Sequence, residues 1–350
     1  MKAPPSRLST CHSPFTPYRM QDLPVTSLPK SVNTVDDQST YRYSDDASFA
    51  FETRGLTGKL LNVTGLSSRT GIYWSIYSPR NFGDWITPYL YFKLTGRPPF
   101  FQGPSRYLKT IFSTGSIVRR INKSNSVLVW GSGAISHKDE FRSPLKTLAV
   151  RGPLTRDVFL KKGYNCPEVY GDPGMLLPTV FSTQNIPKED KVAIIPHFKE
   201  LPLMSKLQLS EDCKLVDVTR PIERVISEIA GCSHAISSSL HGVIVSHAFK
   251  VPCAWARFSP EWDPAIDGDD IKFSDYFASI GLDMHAEMNL LDPHALPGTS
   301  ELRGIALSTP LPDLASLQEN LISVCPFPIP HKQHLQAAHQ SPRHGLHNDL

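Results

Sequence analysis

The sequence predicts an α/β protein built from two Rossmann-like domains that face a cleft. Three observations carry this. Short β-rich apolar runs alternate with helical stretches from residue 72 to about residue 254. Several of the helices carry their own start and stop signals, with Pro in the first turn and Gly at the end. One polar linker, residues 182–190, divides the alternation into two blocks. Strands separated by helices imply parallel sheets with helices on both faces.

In the first block, residues 72–77 form a β-rich run. The loop 78–84 follows, and a helix over 85–94 stops at Gly96. A second run, 110–113, leads into Gly115-Ser116, and 126–130 is a strand of buried type that ends at Gly131-Ser132-Gly133. Residues 147–150 form a strand running into Arg151-Gly152-Pro153. The helix over 154–162 then ends at Gly163. In the second block, 191–195 is a strand ending at Pro196-His197, and 215–218 is another. Pro221 opens the clearest helix, in which Ile222, Val225, Ile226, Ile229 and Ala230 recur at helical spacing before Gly231. A strand over 234–236, a loop over 237–242, a helix to about residue 250 and a strand over 251–254 complete the block. The expected organisation is an N-terminal extension, partly disordered, over 1–69 and a first Rossmann-like domain over 70–185. A second, with a closing helix, spans 186–325, and a disordered Pro/His-rich tail spans 326–350.

Composition narrows the function classes. Apolar residues make up 40% of the 350, enough for a sizeable core. The net charge of +3 comes from 36 basic and 33 acidic residues, which argues against a nucleic-acid partner. No apolar run approaches the ~20 residues of a membrane span, so membrane contact is at most peripheral. Six cysteines are scattered, with no CxxC pair. They read as reduced thiols, and the expected location is cytoplasmic, free or at the inner face of the membrane. There is no HExxH, Walker A or GxGxxG pattern, so neither a metal nor a dinucleotide cofactor is expected.

In open α/β sheets, ligands sit beyond the carboxyl ends of the strands. That rule selects Asn81, Gly83 and Asp84; Gly131, Ser132 and Gly133; Arg151; His197; and Ser237, Ser238, Ser239 and His241. Helix N-termini at Asp84, Arg151 and His241 suit a phosphate or carboxylate. Each position also has a structural reading. Asp84 and the serines serve as helix caps, Gly131-Ser132-Gly133 as a tight turn, Arg151 as a salt-bridge partner, and either histidine as a packed side chain.

Seven motifs stand in order: Asn81-Phe-Gly-Asp84, Val129-Trp-Gly-Ser-Gly133, Val150-Arg-Gly-Pro-Leu-Thr-Arg156, Tyr170-Gly-Asp-Pro-Gly174, Ile194-Ile-Pro-His197, Ser238-Ser-Leu-His-Gly242 and Phe273-Ser-Asp-Tyr-Phe277. Together they resemble the polysaccharide pyruvyl transferase family, in particular its bacterial exopolysaccharide ketal-pyruvate branch, over about residues 70–325. The resemblance implies a GT-B-like pair of domains. It implies transfer of pyruvate from phosphoenolpyruvate onto two hydroxyls of one sugar, free or lipid-linked, as a cyclic ketal, with no cofactor. It further implies that His241 is the general acid and that Arg151 binds the donor anion. Many relatives carry Arg two positions before this histidine, where this chain has Ser239; Arg224, Arg257 or backbone donors are the expected replacements. Two other readings stay open: a GT-B glycosyltransferase using a nucleotide sugar, and a non-catalytic sugar-binding protein of the same fold.

Overall fold

The computed structural model describes residues 71–75, 81–97, 99–104, 108–122, 126–258, 269, 271–282 and 289–329. The expected N-terminal extension and nearly all of the expected tail lie outside these residues.

Apolar runs in the first block form β1 (Gly71–Tyr73), β2 (Phe100–Phe101), β3 (Thr110–Phe112), β4 (Val127–Trp130) and β5 (Lys146–Ala149), paired in the order β2-β1-β3-β4-β5. In the second they form β6 (Glu189–Ile195), β7 (Cys213–Leu215), β8 (Cys232–Ser237), β9 (Cys253–Arg257) and β10 (Asn289–Leu290), ordered β10-β9-β8-β6-β7. Every pairing is parallel. The two sheets therefore share one winding: in each, the second strand lies on one side of the first and the other three lie on the opposite side. Such a sheet reverses direction once, between its first and third strands, and a crevice opens at that point beyond the strand ends. The two reversals here fall between β1 and β3 and between β6 and β8.

The helices are α1 (Phe82–Thr95), α2 (Pro153–Lys161), α3 (Leu201–Met204), α4 (Ile222–Gly231), α5 (Leu240–Ala248), α6 (Ile271–Ser279), α7 (Thr299–Ser308) and α8 (Ala315–Ser323). Several boundaries move from their expected places, three of them for a visible reason. Helix α1 starts at Phe82, so Asn81 holds the N-cap position and Asp84 lies in the first turn; the reading of Asp84 as an N-cap is corrected. Strand β7 ends at Leu215, before the expected 215–218 run is complete. Asp217 turns the chain there by accepting the N–H and the hydroxyl of Thr219. Strand β9 starts at Cys253 because Lys250, at φ 61°, and a Val251 N–H bond to the Ser246 carbonyl prolong the exit from α5. The two-residue edge strands β2 and β10 carried no readable period.

The two blocks are laced together. One hydrophobic cluster takes in Ile72, Ile111 and Trp130 from the first sheet and Ala193, Ile195 and Ala235 from the second. Helix α1 belongs to the first block but packs against α4, where Tyr89 donates to Glu223 at 2.9 Å and Lys93 pairs with it at 2.8 Å. The chain then returns: Asp275 of α6 pairs with Arg151, and the Leu321 carbonyl of α8 accepts the Trp130 indole N–H at 3.0 Å. Phe327, expected in the disordered tail, is buried edge-on against Tyr91 and Trp130. No helix among the described residues is long and apolar enough to cross a membrane.

Candidate active site

Both sheet reversals open into one cleft of about 260 Å³. From the first sheet come Tyr73 and Ser75 after β1, Asn81 and Asp84 at the start of α1, and Gly115 to Ile117 with Arg119 and Arg120 after β3. From the second come His197, Phe198 and Lys199 after β6, and Ser239 to His241 after β8. Lys272 of α6 completes the wall.

His241 stands in the first turn of α5, behind the N-cap Ser239, whose hydroxyl accepts the Gly242 N–H at 3.4 Å. Its ring lies directly on the backbone of Gly83, where any Cβ would overlap the imidazole. Only glycine permits that approach. On the other edge Nε2 is 3.5 Å from Oδ2 of the fully buried Asp172. That distance makes an ion pair when the ring is charged. It is not a hydrogen bond, and Nε2 has no such partner among the described residues. Asp172 is itself fixed, accepting Gly174 N–H on Oδ1 at 2.8 Å and Gly115 N–H on Oδ2 at 3.5 Å.

Asp84 faces the same space. Burial raises its carboxyl to about 6, against the opposing pull of His241 and a hydrogen bond from Asn81. A Cβ placed on Gly115 would lie 4.0 Å from both Asp84 Oδ1 and His241 Cε1, so the two groups flank one stretch of backbone. His197 behaves in the opposite sense. Burial, reinforced by the charges of Lys272, Lys199 and His241, pushes it down to about 3. It is therefore neutral near pH 7 and suited to hydrogen bonding rather than to giving up a proton as an acid. Its backbone N–H donates to Ser238 Oγ at 2.8 Å and to Glu200 at 3.2 Å, which ties the β6 loop to the β8 loop.

The other residues selected from the sequence lie behind this wall. Arg151 is fully buried and does not line the cleft. It donates to Asp275 Oδ2 at 2.9 Å, to Ser116 Oγ at 2.6 Å and to the Ala134 carbonyl at 2.7 Å. The geometry is that of the salt bridge, and only through Ser116 does it reach the cleft. Gly133 is there to make room, since a Cβ would overlap the guanidinium. Ser132 donates to the Gly115 carbonyl at 2.9 Å, and Gly131 packs against Pro173. Ser237 is spent on the carbonyls of Ile195 and Ser239, and Ser238 on Glu200. Arg224 pairs with Glu228 at 2.7 Å and Arg257 lies over the Trp255 ring; neither lines the cleft. The cations that do are Arg119, Arg120, Lys199 and Lys272.

The sequence reading passed over those four, together with Ser116 and Asp172. Ser116 follows a strand and so obeyed the rule already in use. Asp172 sits just after Tyr170, which extends the first sheet through a parallel bridge to Val150. Lys272 lay beyond any periodic signal. Among the described residues no cluster of three or more His, Cys, Asp or Glu could hold a metal ion.

A polysaccharide pyruvyl transferase family model matches residues 74–257. The chain belongs to that family. The matched segment holds Asp84, Arg151, Asp172, His197 and His241, while Tyr73 and Lys272 fall outside it. An uncharacterised protein of Acanthamoeba polyphaga mimivirus is similar to this chain, 31% identical over 176 residues. That alignment takes in 48% of this chain and 59% of the viral protein, so the chain spans about three fifths of its relative's length.

Proposed function

We propose that this chain transfers the pyruvyl group of phosphoenolpyruvate onto two hydroxyls of one sugar, free or lipid-linked, closing a cyclic ketal in the cleft of a GT-B-like molecule. The observation that carries this is one cleft, in a member of this family, that joins four cationic side chains to a histidine held between a buried carboxylate and a glycine. Phosphoenolpyruvate presents a phosphate and a carboxylate, and fixed cations and N–H donors suit both.

Arg119, Arg120, Lys199 and Lys272 hold the donor anion. Neutral His197 adds a hydrogen bond without adding charge. His241, held 3.5 Å from Asp172, protonates the methylene carbon, and positive charge develops at the adjacent carbon. A sugar hydroxyl attacks there, phosphate leaves, and the second hydroxyl closes the ring. Arg151 acts from behind, fixing Ser116 and the loop after β3.

The test uses the full chain. Phosphoenolpyruvate should raise its melting temperature. With methyl hexopyranosides as acceptors, phosphate should be released and the sugar should gain the mass of one pyruvate less one water. Stabilisation by a uridine diphosphate hexose but not by phosphoenolpyruvate would instead establish the glycosyltransferase reading.

A further inference from the structure

Ketal formation makes two opposite demands on protons. One group must give a proton to the methylene carbon, and another must take the proton from each hydroxyl as it attacks. His241 meets the first demand; where protonation of the carbon and attack by the hydroxyl run together, the same ring cannot also take the hydroxyl proton. We propose that Asp84 is the base that removes the hydroxyl protons of the acceptor. The proposal rests on the pyruvyl-transfer reading above.

The assignment stands on geometry. Asp84 is the sole carboxylate lining the cleft among the described residues. It comes as near to Gly115 as His241 does, each 4.0 Å from the point where a Cβ would stand, so a molecule lying over that backbone meets both. A structural role does not account for it. Asn81, not Asp84, holds the N-cap position, and no lysine or arginine of the described residues forms a salt bridge with it. Asn81 instead donates to the carboxylate, and its side-chain oxygen Oδ1 is left buried with no partner among the described residues, a free acceptor beside the base.

The proton count closes. The two hydroxyls lose two protons through Asp84. One replaces the proton that His241 gave to carbon, and the other leaves on hydrogen phosphate. Two O–H bonds, the C–O bond to phosphate and the π bond of the donor break, while one C–H bond, two C–O bonds and one O–H bond on phosphate form.

The titration has a definite sign. The charged or titratable groups facing Asp84 are His241 on α5, His197 and Lys199 after β6, Lys272 on α6, and Arg119 and Arg120 after β3. His241 and the hydrogen bond from Asn81 favour the carboxylate, yet burial prevails and raises it from 3.8 to about 6. The folded state therefore holds this proton more tightly than the unfolded chain, and stability falls as pH rises from about 4 through about 6. Asp84→Asn removes that penalty. The variant should melt higher than the wild type at pH 7.5, and the difference should vanish near pH 4.

The deciding experiment compares wild type, Asp84→Asn and Asp84→Glu as full chains. Phosphoenolpyruvate binding is read from the melting-temperature shift. Phosphate release is read with methyl galactopyranoside, with methyl mannopyranoside, and with water alone as the nucleophile. Asp84→Asn should bind the donor at least as tightly, because a negative charge has left the neighbourhood of an anion, while turnover falls about 100- to 10,000-fold. Asp84→Glu should recover part of the rate, and the loss of rate below about pH 6 should be absent from the residual Asn activity. Turnover of the Asn variant close to wild type overturns the proposal and leaves the pyruvyl reading standing. Loss of donor binding in step with rate overturns it too, making Asp84 a ligand. A wild type that neither responds to phosphoenolpyruvate nor releases phosphate removes the reading beneath it.

Discussion

Arg151 and His241 were selected by the same rule: each is a charged or titratable residue following a strand and opening a helix. The structure gives them opposite surroundings. Around Arg151 every partner is present. Asp275 accepts its Nε and also the N–H and hydroxyl of Thr155, and the remaining nitrogens go to Ser116 and Ala134. Around His241 the partners stop short. Its Nε2 is buried without a hydrogen bond, the nearby Asn81 oxygen is likewise alone, and Asp84 across the gap is held above its ordinary range. A saturated charge cluster stabilises a loop. An unsaturated one costs stability, and the fold tolerates that cost where a ligand completes it.

The sharpest way to break this contrast is at the histidine. His241→Asn keeps a polar side chain of similar bulk but cannot deliver a proton. Turnover should fall about 100- to 10,000-fold, with the melting temperature and the shift caused by phosphoenolpyruvate both retained. Wild-type turnover in that variant would remove the functional half of the comparison.

Arg151→Met should do the reverse. It leaves Asp275 charged and buried without its partner, which costs about 3–5 kcal/mol. The loss should appear first as a lower midpoint in urea, with kcat of the surviving folded fraction changed less than stability. An unchanged midpoint accompanied by a raised KM for phosphoenolpyruvate would return Arg151 to the donor site.

Gly83→Ala sits between the two cases. Its methyl group would displace the imidazole or the start of α1, and overpacking of this kind costs about 1–3 kcal/mol. A displaced ring predicts that kcat falls further than stability does. If the variant loses stability alone, the contact with His241 is packing.

The smallest effect should come from Lys199→Ala. One cation at a solvent-accessible cleft contributes about 1 kcal/mol or less. KM for the donor should rise severalfold at low salt and converge on the wild-type value at high salt, where screening is strong. Salt-independent loss would instead mark a fixed hydrogen bond.

Much of this contrast was invisible in the sequence, and the reasons are physical. The alternation that gives β3, β4, β6, β8 and α4 rests on local periodicity and was legible. So was the site's position, because the strand-end rule needs only topology. What separates His241 from Arg151 is contact over long separations. Asp275 lies 124 residues beyond Arg151, and nothing local to either residue announces the pair. Lys272 lies one helix turn from Asp275 and faces the cleft, while Asp275 is buried against α2. The resemblance supplied the motif around Asp172, but its approach to His241 required the loop after the Tyr170 bridge and the loop after β8 to meet.

The return of α8 to the first sheet has a consequence for how the molecule is made. Trp130 finds its hydrogen-bond acceptor in Leu321 and its ring neighbour in Phe327, and Leu321 also covers Gly171. On the ribosome, β1 to β5 emerge first, and domains commonly fold in that order. Here the first sheet leaves the tunnel with one flank bare and stays so until nearly 200 further residues have been synthesised, as Trp130 and Leu321 stand 191 positions apart. The flank of the first sheet around Trp130 is thus completed only by the last described helix and the residues just after it.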